Sequence, residues 1–350
     1  MFLVSDNTGP VHPSVLEALT RANEAYVAGY GADDASARAV QAIRDLFEAP
    51  EAAVHLVATG TAANSLILAS MAQPWSTIFC APMAHIQEDE CNAPEFFSGG
   101  AKLTLVEAEN AKITPAALRA AIAAEQTRGV HGPKRGPVSI TNATEKGTVY
   151  SPAEVAALAE VTKEYGLPLH MDGARFSNAV AALGCTPAEI TWKAGVSALS
   201  FGGTKNGLMG VEAAVFFDPA LAAEFEYRRK RGGHLFSKHR YLSAQMEAYI
   251  EGDLWHDLAT RANEACAHLL RGLRQIPQVE IAFEPEANII FASFPREMHQ
   301  RLRKAGAQYS VWSGDVETGD PAEMLTARMV TDWSQDLAQI DHMLAVMRGA

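Results

Sequence analysis

An α/β fold is predicted: a mainly parallel sheet in a large domain, residues 1–254, and a smaller α/β domain at the C-terminus, residues 255–350. Three observations carry it. Short apolar runs of strand length alternate with longer stretches of helical periodicity, the pattern of a sheet wound on both faces. Helix starts carry repeated capping motifs. After about Trp255 the order changes to two adjacent strands followed by strand–helix alternation.

The buried strands are expected at 54–59, 138–141, 167–171, 196–201 and 211–217. Ser151-Pro152-Ala153-Glu154, Thr186-Pro187-Ala188-Glu189 and Asp320-Pro321-Ala322-Glu323 each supply a capping oxygen, a proline at the first helical position and a glutamate able to bond back. Thr114-Pro115 and Asp218-Pro219 repeat the design without the glutamate. The first box opens a helix over 153–165, with Val155, Leu158, Ala159 and Val161 at helical spacing and Gly166 at its end. In the C-terminal part a long amphipathic helix runs to about Gln275. Strands follow at 279–283 and 288–294, a helix at 298–305, strands at 309–312 and 324–330, and a last helix from about Ser334. No Pro/Gly/Ser linker separates the halves, so they should pack closely with the site between them.

Composition narrows the class of function. The chain has 350 residues, 48% hydrophobic and 20% charged, which excludes disorder. A net charge of −12 argues against a broad nucleic-acid surface. No apolar run approaches the roughly 18–20 residues of a membrane span, and the opening Met1-Phe2-Leu3-Val4-Ser5-Asp6 shows no basic stretch of a signal peptide. Cys80, Cys91, Cys185 and Cys266 are scattered and read as reduced thiols of a cytoplasmic protein. No metal-ligand set is expected.

Three segments carry chemistry. In Leu169-His170-Met171-Asp172-Gly173-Ala174-Arg175 a strand ends in an aspartate, at the sheet edge where ligands sit, and an arginine follows. Alone, it fits a helix cap beside a surface arginine equally well. In Ser200-Phe201-Gly202-Gly203-Thr204-Lys205-Asn206-Gly207 a strand runs into glycines, a hydroxyl and one lysine, and a desolvated lysine can act as a nucleophile. Alone, this is a glycine-rich turn with a solvated lysine. Gly60-Thr61-Ala62-Ala63-Asn64 opens an apolar helix whose N-terminal N–H groups suit a phosphate. Together the three match what pyridoxal 5′-phosphate requires: a phosphate cradle, an aspartate for the pyridine nitrogen and a lysine for the aldehyde.

With Ser5-Asp6-Asn7-Thr8, Ala84-His85-Ile86 and His170-Met171-Asp172-Gly173-Ala174-Arg175, the chain resembles the L-threonine aldolase / β-eliminating lyase group of fold type I pyridoxal-phosphate enzymes over nearly its full length. The resemblance implies that Lys205 bonds the cofactor aldehyde and Asp172 pairs with its ring nitrogen. It implies that His85 stacks on the ring and assists proton transfer at the β-hydroxyl. Gly60, Thr61 and Thr204 would hold the phosphate, and Ser5, Arg175 and Arg328 the substrate carboxylate. The implied reaction is cleavage of L-β-hydroxy-α-amino acids of the threonine, allo-threonine and phenylserine type to glycine and an aldehyde. β-Elimination, transamination or hydroxymethyl transfer on the same fold is the alternative, and a non-catalytic binding protein a more distant one. The group also implies a homodimer or homotetramer with active sites at the dimer interface.

Two strings depart from the group's pattern. Thr141-Asn142-Ala143-Thr144-Glu145-Lys146-Gly147 places Glu145 where a second histidine is common, as a general base or as a cap or ion-pair residue. The lysine loop lacks the common serine–lysine form. Arg228, Arg229, Lys230, Arg231, Lys238 and Arg240 place six of 29 basic residues in one short stretch. That stretch reads as a solvated basic face or a weak nucleic-acid patch or, on the resemblance and with Tyr30, as a segment reaching the neighbouring subunit's cofactor. His131 and His234 are expected at the surface.

Overall fold

The computed structural model describes residues 1–349. In chain order the strands are β1 (Ala53–Val57), β2 (Ser76–Cys80), β3 (Lys102–Leu105), β4 (Ala108–Glu109), β5 (Lys112–Ile113), β6 (Lys134–Thr141), β7 (Leu169–Gly173), β8 (Ala198–Gly202) and β9 (Glu212–Phe216). The C-terminal part adds β10 (Glu280–Ile281), β11 (Ile289–Pro295), β12 (Ser310–Val311) and β13 (Met324–Val330). A large sheet has the order β1-β9-β8-β7-β6-β2-β3, and a small one β10-β11-β13-β12. All pairs from β8 to β3 are parallel, whereas β9 runs antiparallel to both its neighbours. The small sheet is antiparallel throughout.

The expected strands are present, and β2, β3 and the short pair β4–β5 add four that the hydropathy pattern did not mark. Strand β6 begins four residues before the expected Val138, because it continues through Gly136-Pro137. Proline removes a ladder bond there, and the β2–β6 register shifts between Thr77 and Phe79. A Cβ at Gly136 would lie 2.5 Å from the Thr77 carbonyl oxygen, so only glycine allows this approach.

Two capping motifs form without helices. Thr186 and Glu189 bond reciprocally, at 2.8 and 3.2 Å, yet the chain makes only turns before a short 3-10 helix at Trp192–Ala194. Asp320 accepts from the Ala322 N–H at 2.9 Å, but the chain enters β13 directly. Ser151 does start the helix Pro152–Glu164 with a complete capping box. Among the described residues no helix is long and apolar enough to cross a membrane.

Two main cores result. The larger packs helices on both faces of the large sheet, and the smaller packs Leu269, Leu273, Leu302 and Leu344 on the small one. The helix Leu254–Leu273 joins them, with Trp255 in the first core and Leu269 in the second. The N-terminal segment, grouped above with the large domain, adds to the small sheet instead. Leu3 N–H donates to the Gln308 carbonyl at 2.7 Å, and Val330 N–H to the Leu3 carbonyl at 2.9 Å.

Asp6, just beyond, fastens this segment to both halves. It receives Arg175 Nε and Nη2 at 2.7 and 2.9 Å and Asn288 Nδ2 at 3.0 Å. Burial alone would raise the Asp6 pKa. The charges of Arg175 and Lys205 and the bonds from Arg175 and Asn288 overcome this and hold it below 3.8. Asp6→Ala should therefore cost about 3–5 kcal/mol by stranding a buried guanidinium, read as a lower urea midpoint at neutral pH. The contribution is present above pH 3.8 and is lost as pH falls through the lowered folded value, so variant and parent converge only in strong acid. An unchanged neutral midpoint contradicts this.

Candidate active site

Because β9 is antiparallel to β1 and β8, those two strands are parallel to each other, and β1, β8, β7, β6, β2 and β3 all end on one edge of the sheet. The carboxyl edge thus gathers the strand ends and the turns leading from them: Gly60 after β1, Lys205 after β8, Asp172 at the end of β7, Glu145 after β6 and His85 after β2. It also receives the first residue of β9, Glu212, opposite Val57 and Gly202.

The turn after β1 is closed by Thr59, whose hydroxyl accepts from Ala62 N–H at 3.1 Å. Gly60 and Thr61 open the helix Gly60–Met71, where first-turn N–H groups lack intrahelical acceptors. A Cβ at Gly60 would meet nothing within 4 Å, so the helix end faces open space. The turn after β8 is tight: a Cβ at Gly202 would come within 2.7 Å of Ala174 Cα. Asn206 anchors it by donating to the Tyr249 hydroxyl and the Trp255 carbonyl at 2.7 and 2.8 Å. Lys205 stands on this anchored turn.

Asp172 is buried, accepting from Ala174 N–H at 3.0 Å and from Asn64 Nδ2 at 2.8 Å. The same Asn64 Nδ2 donates to Glu90 Oε1 at 2.8 Å, and Glu90 Oε1 lies 2.8 Å from His85 Nδ1. Glu90 and the role of Asn64 were not foreseen. Asn64 belongs to the Gly60-Thr61-Ala62-Ala63-Asn64 string, but only the fold brings it to Asp172, 108 residues away.

A cavity of ≈ 600 Å³ lies between the two sheets, lined by Ser5, His85, Glu145, Arg175, Lys205 and Arg328 among others. Six of the expected residues are therefore brought together on one cavity, while Gly60, Thr61, Asp172 and Thr204 are not among its lining residues. Its wall on the small-sheet side is aromatic: Phe291 contacts Phe283 and Trp312 edge-on, with centroids 5.5 and 5.3 Å apart. Phe291 and Ser310 flank Arg328 in register. Burial and the neighbouring charge of Arg175 lower the Arg328 pKa, against the pull of Glu145, Asp6 and Asp89. Arg175 is held bidentately by Asp6 through Nε and Nη2, which leaves Nη1 outside that pair.

The basic stretch lies outside this cavity. Arg229 is buried against the Leu56 carbonyl, Arg228 pairs with Glu224 at 3.0 Å, and Lys230 sits over the Tyr30 ring at 4.8 Å. His131 is exposed as expected, but His234 is half-buried, its Nδ1 accepting from Ala58 N–H at 3.4 Å, two residues before Gly60. Among the described residues no group of three or more His, Cys, Asp or Glu is placed to hold a metal.

Glu212 accepts from Gly203 N–H at 2.8 Å and faces Thr204. Burial raises its pKa to about 7, against the nearby Thr204 hydroxyl, the bond from Gly203 N–H and the charge of Lys205. A raised acid binds its proton more tightly when folded, so its effect on stability declines as pH rises from 4.5 to about 7, by on the order of 3 kcal/mol. The buried histidines His55, His170, His239 and His299, pushed down to about 4, give the opposite slope. Urea unfolding of cofactor-free Glu212→Gln should thus gain stability on its parent between about pH 5 and about pH 8. A constant difference would contradict the buried-acid account.

Residues 3–295 match the family model of the beta-eliminating lyases. The chain is 43% identical over 345 residues to a low specificity L-threonine aldolase from a Pseudomonas species, covering 98% of this chain and 96% of that protein. It is 43% identical over 337 residues to a low specificity L-threonine aldolase from Pseudomonas aeruginosa, covering 96% and 94%. A solved threonine aldolase structure from Leishmania major matches with a TM-score of 0.92 at 26% identity, over 99% of this chain and 98% of that one.

Proposed function

The chain belongs to the beta-eliminating lyase family, and on that footing we propose that it cleaves L-β-hydroxy-α-amino acids of the threonine type to glycine and an aldehyde, with pyridoxal 5′-phosphate as cofactor. The observation that carries this reading is the convergence of Lys205, His85 and Arg328 on one cavity, with Asp172 on the same sheet edge.

The residues fit the cofactor. The N-terminus at Gly60 faces open space, and Thr204 Oγ1 is buried without a well-formed hydrogen bond, so both have capacity for a phosphate. Asp172 is fixed by two donors and can take a third on its carboxylate. Bound there, pyridoxal phosphate supplies an electron acceptor for the pair released when the Cα–Cβ bond breaks. Gly60, Thr61 and Thr204 would hold the phosphate, Asp172 would keep the ring nitrogen protonated, and Lys205 would be the amine that meets the aldehyde. Arg328, with Ser5 and Arg175 beside it, grips the substrate carboxylate and so sets which bond at Cα can break. His85 takes the β-hydroxyl proton. Glu145, on the same cavity, carries a carboxylate that orients the substrate hydroxyl or a water.

The test is direct. With L-threonine, L-allo-threonine and phenylserine the enzyme should release glycine with acetaldehyde or benzaldehyde, L-serine serves as the probe for elimination, and Lys205→Ala should lose both turnover and the yellow absorbance. Pyruvate and ammonia as products would point to elimination and overturn the reading.

A homodimer or homotetramer, with sites at the dimer interface, is part of the reading. Tyr26, Val27, Tyr30, Tyr227 and Phe236 are exposed apolar side chains on and beside the segments that carry Tyr30 and the basic stretch, and Tyr30 N–H bonds Ser237. Such surface normally meets a partner. Sedimentation equilibrium should give at least twice 37.5 kDa, and a monomer mass would exclude it. A cytoplasmic location also belongs to this reading, supported by four unpaired thiols.

A further inference from the structure

We propose that buried Glu90 is the positioning residue for His85: it accepts the Nδ1 proton and so leaves Nε2 as the acceptor available to substrate, while Asn64 ties the pair to Asp172. The use of His85 as a base rests on the reading above; the arrangement of its ring does not.

The Glu90 side chain has no solvent exposure. Its Oε1 lies 2.8 Å from His85 Nδ1 and accepts from Asn64 Nδ2 at 2.8 Å, and its Oε2 meets no partner. An ionised carboxylate has no hydrogen to give, so Nδ1 must carry one, and the lone pair of the neutral ring is then on Nε2. His85 lines the cavity and Glu90 does not, so the carboxylate acts on the reaction only through the ring. When the β-hydroxyl proton moves to Nε2, the O–H electron pair goes to the forming carbonyl. The positive ring is then balanced by the carboxylate at Nδ1.

Asn64 adds a second constraint. Its single amide NH2 donates to Glu90 Oε1 and to Asp172 Oδ2, both at 2.8 Å. One neutral group thus spaces two buried carboxylates that repel each other, and links the His85 pair to the residue reserved for the ring nitrogen. The electrostatics agree. The bond to Glu90 raises the His85 pKa, burial opposes it, Asp172 and Glu90 raise it by charge and Lys205 lowers it. Glu88, Asp89, Glu145, Lys146, Arg175 and Arg328 are the other charged groups on the same cavity. Burial raises Glu90 itself, as does Asp172, against the bonds from His85 and Asn64.

A merely structural acceptor would be served as well by glutamine, which separates the two roles. In 15N-histidine NMR of the cofactor-free protein, with His85→Gln to assign the signal, wild-type His85 should show a protonated Nδ1 and a pyridine-like Nε2, titrating above 6.5. Glu90→Gln should lower its proton affinity about tenfold, one unit of midpoint, and move the acid limb of kcat the same way in the loaded enzyme. An Nε2–H tautomer in the wild type, or coincident titrations of variant and parent, overturns the proposal. The wild-type tautomer decides it even if Glu90→Gln does not fold. Because the NMR needs no turnover, the tautomer result stands even where the aldolase reading fails.

Discussion

Removing a full charge from water beside an apolar sheet costs several kcal/mol unless other groups replace the lost solvation. That constraint shapes the carboxyl edge of the large sheet, where Asp6, Glu90, Asp172, Arg175 and Glu212 are all buried. Each is compensated differently. Asp6 and Arg175 neutralise each other, with Asn288 as an added donor. Glu90 and Asp172 share the Asn64 amide. Glu212 has the Gly203 N–H but no bonded cation, and burial pushes its pKa up to about 7. Solvation is incomplete in a localised way: Asn64 Oδ1, Glu90 Oε2 and Thr204 Oγ1 remain buried without partners, all near this edge.

The antiparallel strand β9 makes this concentration possible. A parallel strand in its place would bring its own C-terminal turn to the edge and carry Glu212 away from it. Reversed, β9 inserts a carboxyl between the ends of β1 and β8, where it holds the Gly203 N–H of the lysine turn. The turn is then fixed from two sides, by Glu212 through its backbone and by Tyr249 through Asn206. The joining helix Leu254–Leu273 packs into both cores and so links the small sheet, which carries Arg328, to the large one.

What was legible in the sequence is what is contiguous in it. A strand ending in Asp172, a glycine turn presenting Lys205 and a helix opening at Gly60 are local patterns, and each was read correctly as to element. The fold type I resemblance placed all three on one edge, as the structure does. Partnerships across the chain were not legible: Arg175 finds Asp6 at a separation of 169 residues, and Asn64 finds Asp172 at 108. Glu90 is only five residues past His85, but its return to the ring depends on the single helical turn His85–Glu88 and the bend at Asp89, which no motif announced. The capping boxes at Thr186 and Asp320 misled for a related reason. Their local bonds form, but pairing of β13 with β11 outweighs helix propensity after Asp320. After Thr186 the chain has only a few residues before Gly195 and β8.

The net charge of −12 is not the field a substrate carboxylate would meet. Four cationic side chains line the cavity, Lys146, Arg175, Lys205 and Arg328, but they are not equivalent. Lys146 lies over the Phe283 ring at 4.1 Å, and Lys205 is committed to the cofactor on the proposed reading. Arg175 already holds Asp6 through Nε and Nη2, which leaves only Nη1 for a substrate carboxylate. Arg328 is influenced by Glu145, Asp6 and Asp89 only through space, with no bonded carboxylate among the described residues. Its guanidinium keeps both edges for a bidentate grip. The two arginines therefore divide the work. Arg175 spends its charge fixing the N-terminal segment, which carries Ser5 to the cavity. Arg328, half-buried beside Phe291, is left as the group whose desolvation a substrate carboxylate would relieve.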